Sequence, residues 1–383
     1  MSGCDSRRIN QTRSSYSLFE IVSINSYLRV HCHPKRFIEY TFDLKSNPSS
    51  ASTSLSHSYV DNIIASSDDY VIVNKPPGLP VAATLDNAKE NVIERVRESQ
   101  LDPNSSSTTR ISLWPTTRLD ICTSGVLVLA KNKSFCNKFN AMIEKESLER
   151  SDVNDQEHLG KRRAIRKYYQ LLTIEKPNRI GLVEHKAIIK KKHTSDDSYF
   201  LNGERKRQKQ TPKIVILGEP DAKKTLEEFD TKLCSLFIHN SRKVKVYLPK
   251  TILNNVTSYG SQSDHNLVEV WQTDVELYTG RTHQIRAQFA AIGFPIIGDT
   301  LYRSDREDDK GINCEMEDRR RLDTPTLIAL HAERLEVDIN DVVCSLFRIP
   351  PHASIPTGAV SFSASAWWST QAPPKNTHTF GTS

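Results

Sequence analysis

The sequence predicts an α+β fold built on a mixed, largely antiparallel central sheet with flanking helices. Three observations lead there. Strand-like segments outnumber helix-like ones along the 383 residues. The strands are not separated by helices at regular intervals, which argues against a doubly wound parallel sheet. Helical apolar periodicity appears in only three stretches, at 91–98, from Ser134 onward and after Gly280. No segment repeats another.

In chain order, residues 1–17 read as a tail and 44–58 as a Ser-rich linker. Between them, 18–42 holds short apolar clusters that could supply an extra strand or two. Tyr70, Val71, Ile72 and Val73 form a β-rich run that stops at Pro76-Pro77-Gly78, a turn signal. The next helix gathers Val92, Ile93 and Val96 on one face, and 103–110 is a polar loop. A strand follows Gly125 (Val126 to Ala130). From Ser134 a helix repeats Phe135, Phe139, Met142 and Ile143 on one side.

Residues 146–166 are charged and read as an exposed insertion. Residues 168–174 are strand-like. The stretch 186–265 is composite, with basic loops at 190–192 and 205–207 and alternating segments at 233–238 and 243–248. A long β pattern covers 267–278. The helix after Gly280 places Ile285, Phe289 and Ile292 on one face and stops at Gly293. Residues 303–323 are a charged loop, and 327–337 returns to strand.

Composition narrows the function classes. Seven scattered cysteines with no Cys-x-x-Cys pair indicate neither a zinc ribbon nor a disulfide framework, so a reducing compartment is the simplest setting. The formal charge of +6 permits an anionic partner. No apolar run approaches the roughly 18–20 residues that cross a bilayer, and no membrane association is expected. The N-terminus lacks the apolar core of a secretory signal.

Four segments hold residues that could do chemistry. Arg118-Leu119-Asp120-Ile121-Cys122-Thr123-Ser124-Gly125 is a polar loop running into an apolar strand. It could present one carboxylate at a sheet edge, although an isolated Asp more often orders its own turn. Thr279-Gly280-Arg281-Thr282-His283-Gln284-Ile285-Arg286 enters a helix directly from a strand, near the positive helix terminus. His283 alone reads better as a structural histidine than as a base. Lys75-Pro76-Pro77-Gly78 is by itself a strand ending in a proline turn. Lys167-Tyr168-Tyr169 is by itself strand packing.

In this order and spacing the four segments resemble the RluA-type RNA pseudouridine synthases, over about residues 60–350. The signature Arg-Leu-Asp-x-x-Thr-Ser-Gly is carried by Arg118 to Gly125. Gly-Arg-Thr-His-Gln-Ile-Arg is carried by Gly280 to Arg286, and Gly-x-Pro-Ile-x-Gly-Asp-x-x-Tyr by Gly293 to Tyr302. The chain departs from the family pattern at Thr117 and Gln288, where many members have His, and at Phe294, where His is common.

The resemblance implies a catalytic domain over 59–352 with charged insertions near 146–166, 186–265 and 303–323. A disordered or weakly ordered extension (1–58) would precede it and a C-terminal tail (353–383) would follow. It implies isomerisation of uridine in RNA, by C1′–N1 cleavage and C1′–C5 rejoining, with no cofactor and no metal. Asp120 is the implied catalytic carboxylate, acting on C1′ or on the 2′ proton. Arg286, and after it Arg281, would hold that carboxylate ionised. Tyr169 would stack on the base and accept the C5 proton. Arg118 would fill the place of a flipped-out base, with a structural salt bridge as its alternative. Arg281, Thr123 and His283 complete the implied substrate contacts.

The implied partner is RNA (tRNA, rRNA or mRNA), met by a monomer. The expected compartment is intracellular, the cytoplasm or nucleus in preference to mitochondrion or plastid. Two other readings stay open from the residues. One is a catalytically inactive RNA-binding protein using the same cleft. The other is a sugar glycosidase, which needs a second carboxylate that no motif supplies.

Overall fold

The computed structural model of the protein describes residues 62–84, 87–100, 111–148, 163–189, 230–249, 267–302, 327–338 and 359–369. Shorter described pieces are 6–7, 27–28, 37, 41–42, 51–52, 200–201, 204–205, 216–218, 252 and 346–347. The polar loop at 103–110 lies outside the described residues. So do the charged segments 149–162 and 303–326, the basic residues 190–192 and 206–209, and most of the N-terminal extension.

An 11-stranded sheet organises the described residues. Its strands are β1 (Ile63–Ser66), β2 (Tyr70–Lys75), β3 (Trp114–Pro115), β4 (Ser124–Ala130), β5 (Ile165–Thr173) and β6 (Gly181–Ile189). They continue as β7 (Ile216–Gly218), β8 (Asp230–Tyr247), β9 (Leu267–Leu277), β10 (Leu330–Asp338) and β11 (Ala359–Ser363). The main path runs β7-β6-β8-β9-β5-β10-β4-β2-β1, with β11 on β10 and β3 on β4. Every pair in this sheet is antiparallel except β4–β10, which is parallel through Ser124↔His331 and Gly125↔Ala332. This mixed, largely antiparallel sheet with few helices is the expected fold class.

Three helices cover the sheet among the described residues. Helix α1 (Val92–Ser99) starts at Asn91, whose side chain accepts from the Glu94 amide at 3.1 Å. Its Val92, Ile93 and Val96 pack on Val71, Val73, Leu127 and Leu129. Helix α2 (Lys133–Leu148) lies on the opposite face, where Phe135 and Phe139 meet Tyr70, Ile72, Val126 and Val128. With a helix on each side, β4 is buried along its whole length, which is why its sequence is a continuous apolar run. Helix α3 (Gln284–Ala291) packs Ile285 and Phe289 against Leu171, Leu236, Ile238 and Val275.

Two expectations change. The stretch 186–265 is not only an insertion, because β8 is one strand of 18 residues inside the sheet, paired on both sides. The polar run 239–243 interrupts its alternation where the register with β9 shifts between Ile238 and Asn240. Residues 353–383 are not only a tail. Val360 and Phe362 alternate into the core from β11, and Trp368 is buried at 1% exposure.

Candidate active site

The loop 118–123 enters β4 at the parallel seam with β10. Gly125 has φ 110°, and a Cβ there would stand 2.2 Å from the Ala332 carbonyl oxygen. Only glycine lets the two strands approach so closely. The loop closes on itself where the Thr123 amide donates to the Asp120 carbonyl at 3.1 Å.

Beneath this loop lies a buried cation. Lys75 is fully buried, and its Nζ donates to the carbonyls of Pro76 (3.0 Å), Ile121 (3.0 Å) and Thr123 (2.7 Å). A buried ammonium needs such partners, and here the partners are the backbone of the loop and of the turn beside it. The sequence marks Lys75 as the end of a strand and as part of the Lys-Pro-Pro-Gly segment shared with the family, with no role of its own. A lysine closing an apolar β run immediately before Pro-Pro-Gly was the available signal.

Asp120 projects from the loop with a side chain 26% exposed. Arg286 Nη1 lies 3.4 Å from its Oδ2, and His283 Nε2 lies 3.7 Å from its Oδ1. Arg286 has a closer partner in Asp299, with Nε to Oδ2 at 2.6 Å and Nη2 to Oδ1 at 2.9 Å. This fork-on-carboxylate geometry is the strong form of the contact. Burial raises the Asp299 pKa, but Arg286 outweighs it and holds the carboxyl below its usual range. Burial lowers the Arg286 pKa, but Cys122, Asp299 and Asp120 outweigh it and the guanidinium stays charged. Asp299 also accepts from the amides of Leu301 and Tyr302 at 3.0 and 3.2 Å. Asp299 had no expected role, although it stands in the quoted Gly-Asp-x-x-Tyr pattern.

His283 holds φ 56°, a left-handed conformation unusual for a non-glycine residue and one that collects at functional sites. Its Nδ1 lies 3.3 Å from the Tyr302 hydroxyl. Burial lowers its pKa more than Asp120 raises it, so the imidazole is mainly neutral at neutral pH. Behind it, Gln284 Oε1 accepts from Thr279 Oγ1 and the Arg281 amide. Gln288, at a position where the family commonly has His, donates to the carbonyls of Val183 and Cys234 and contacts His185 Nδ1. An amide therefore ties α3 to β6 and β8.

The strand β5 separates the adjacent tyrosines. Tyr169 is buried beside Leu171, and burial followed by the Asp120 charge pushes its phenol pKa up. Tyr168 stands on the other face with the Arg334 guanidinium 4.1 Å from its ring centre. The site thus brings Asp120, Arg286, His283 and Tyr169 together.

The remaining expected contacts fall differently. Arg118 is exposed and reaches Thr282 Oγ1 at 3.5 Å, and among the described residues it makes no ion pair. Arg281 makes no ion pair with Asp120 among the described residues, and its Nε is buried without a hydrogen bond. Thr123 is 2% exposed, so it belongs to the framework of the loop rather than to its open face. Burial placed it there, because it closes the turn that leads into an all-buried strand.

The sequence profile described as RNA pseudouridylate synthase matches residues 69–291, more than half of the 383-residue chain. The chain is 29% identical over 279 residues to "RNA pseudouridine synthase 6, chloroplastic" of Oryza sativa subsp. japonica, covering 72% of this chain and 44% of that protein. It is 26% identical over 286 residues to the Arabidopsis thaliana protein of the same name, again 72% and 44%. It is 24% identical over 243 residues to "tRNA pseudouridine(31) synthase" of Saccharomyces cerevisiae, 63% and 46%. The chain therefore spans about half the length of these relatives. The first two names place those proteins in the chloroplast, and the expected location outside plastids finds no support in them. Among the described residues, no helix is long and apolar enough to cross a membrane.

Proposed function

The chain belongs to the RNA pseudouridylate synthase family, and from that premise we propose that it isomerises a uridine in RNA with Asp120 as the reacting carboxylate. The observation that carries this reading is the setting of Asp120. It is the partly open carboxylate of the cluster, bracketed by Arg286 and His283, and its charge reaches Tyr169. The reaction breaks C1′–N1, forms C1′–C5, moves a proton off C5 and returns one to N1. Nothing is oxidised or reduced.

Asp120 works at the ribose, on C1′ or on the 2′ proton. Arg286 sets a positive charge beside it and is itself aimed by Asp299. Tyr169 offers its ring to the uracil. Its raised phenol pKa disfavours phenolate at neutral pH, so accepting the C5 proton requires the phenol to pass on its own proton. His283 presents a mainly neutral imidazole to the same space. Arg118, exposed at the rim, is placed to meet the RNA around the target, and flipping that base out costs a few kcal/mol.

The test is tritium release from cellular RNA labelled at C5 of uracil. The protein should release tritium, and Asp120→Asn should lower the rate by more than about a thousandfold while RNA binding and the thermal midpoint are kept. Binding without any release from the wild type would leave an RNA-binding protein in place of an enzyme.

A further inference from the structure

The catalytic loop continues into a contact that lies outside the family match. Ser124 follows Thr123 directly, and its hydroxyl is 2.8 Å from His331 Nδ1. The other ring nitrogen, Nε2, is 2.9 Å from the Ala364 carbonyl. A carbonyl only accepts, so Nε2 carries the proton and Nδ1 accepts from Ser124. His331 is 1% exposed, and Trp368 closes over it edge-on with ring centres 6.0 Å apart. Trp368 in turn donates to Gln272 Oε1 at 3.3 Å. His331, Ala364 and Trp368 all lie beyond residue 291, where the family match ends.

We propose that His331 is a positioning residue for the reaction: it fixes Ser124 and so transmits to the Asp120 loop the hold of the C-terminal segment 359–369. The route is short, and at Ser124 the contact to His331 is the shorter of two, the Leu330 carbonyl lying 3.4 Å from the same hydroxyl. Asp120 is tied to Thr123 by the turn hydrogen bond, Thr123 is bonded to Ser124, and Ser124 faces His331 across the parallel seam. The imidazole links this seam to Ala364. The proposal rests on Asp120 being the reacting group.

Two substitutions split the two contacts of the ring. The amide of Asn overlays Nδ1 and can still accept from Ser124. The amide of Gln overlays Nε2 and can still donate to Ala364. Single-turnover rate, RNA affinity and thermal midpoint are measured for Ser124→Ala, His331→Gln, His331→Asn and the double variant Ser124→Ala/His331→Gln. Ser124→Ala and His331→Gln should each slow the step by about tenfold, the scale of one buried hydrogen bond, with RNA affinity within about twofold. The double variant should be no slower than either, as expected for one shared contact. His331→Asn should slow the step less than His331→Gln, although both lower the midpoint. A full rate in Ser124→Ala, or losses that multiply in the double variant, would overturn the proposal.

Hydrogen exchange of the Thr123 amide gives a readout independent of turnover. It should quicken by about tenfold in Ser124→Ala and in His331→Gln, and unchanged exchange sinks the positioning role. If the wild type releases no tritium, the functional reading fails, and this exchange measurement still decides whether His331 holds the loop.

Discussion

The loop 118–125 and the segment 280–302 meet at Asp120, but they are held by different means. The loop is clamped mainly through its backbone, with the Ser124 hydroxyl on His331 added from a side chain. Lys75 takes three carbonyls, Gly125 lies against the Ala332 carbonyl, and Thr123 closes the turn. The helix segment is clamped through side chains. Arg286 and Asp299 pair in the interior, and Gln284 and Gln288 bond the neighbouring strands. A backbone clamp tolerates changes of side chain at the clamped residues, as at Ile121, which the family pattern leaves free. A side-chain clamp restricts its members to groups that supply the matching donor or acceptor, as Gln288 does with its amide.

The largest expected effect is on the side-chain clamp. Arg286→Ala leaves Asp299, its side chain 1% exposed, with no cation, a change that typically costs about 3–5 kcal/mol. Activity should fall to background as well. Adding Asp299→Asn removes the stranded charge and should recover much of the thermal midpoint without recovering activity. An unchanged midpoint in Arg286→Ala would show that the pair does not hold the segment.

The backbone clamp should give a smaller loss. Lys75→Met keeps the length of the side chain and removes its three donors. The Pro76, Ile121 and Thr123 carbonyls then lose a partner at about 1 kcal/mol each, or about 3 kcal/mol in all. Turnover should fall by at least about a hundredfold with RNA affinity little changed, because the loop and not the surface is loosened. Equal turnover in Lys75→Met and wild type would break the comparison between the two clamps.

The legibility of the sequence follows the same division. Apolar alternation and helical periodicity gave β2, β9, α1 and α2 within a few residues of their ends, because burial writes its pattern in side chains. The motifs brought Asp120, Arg286, His283 and Tyr169 together. Lys75 was not legible as a clamp, since its partners are carbonyls that any residue carries. Asp299 was not legible as the main partner of Arg286, since two acidic residues stood in equally good motifs and only geometry ranks them. Thr123 was expected to touch substrate, because a short polar loop hides which of its members turns inward. The alternation of Val360 and Phe362 was present, but five residues are a weak signal beside a polar tail.

Acid separates the clamps most finely. His331 stands on the loop side, and burial lowers its pKa from 6.5 to about 4. A histidine depressed in this way contributes stability that is complete above pH 6.5 and is lost as pH falls toward 4. Asp299 stands on the helix side with a pKa below 3.8, so its contribution survives until the pH falls below that value. Between pH 6.5 and 4 the loop side should therefore weaken while the Arg286–Asp299 pair is intact. His185 and His283 also have lowered pKa values and add to the loss, so the wild-type curve alone does not isolate His331. The difference between wild type and His331→Gln does, because the variant lacks only that titration. At about pH 5.5, one unit below the ordinary value, the wild type should lose about 1 kcal/mol more than the variant relative to about pH 7.5. Urea unfolding at the two pH values measures this. If both proteins lose the same amount, His331 is not kept neutral by burial, and acid weakens the two clamps together.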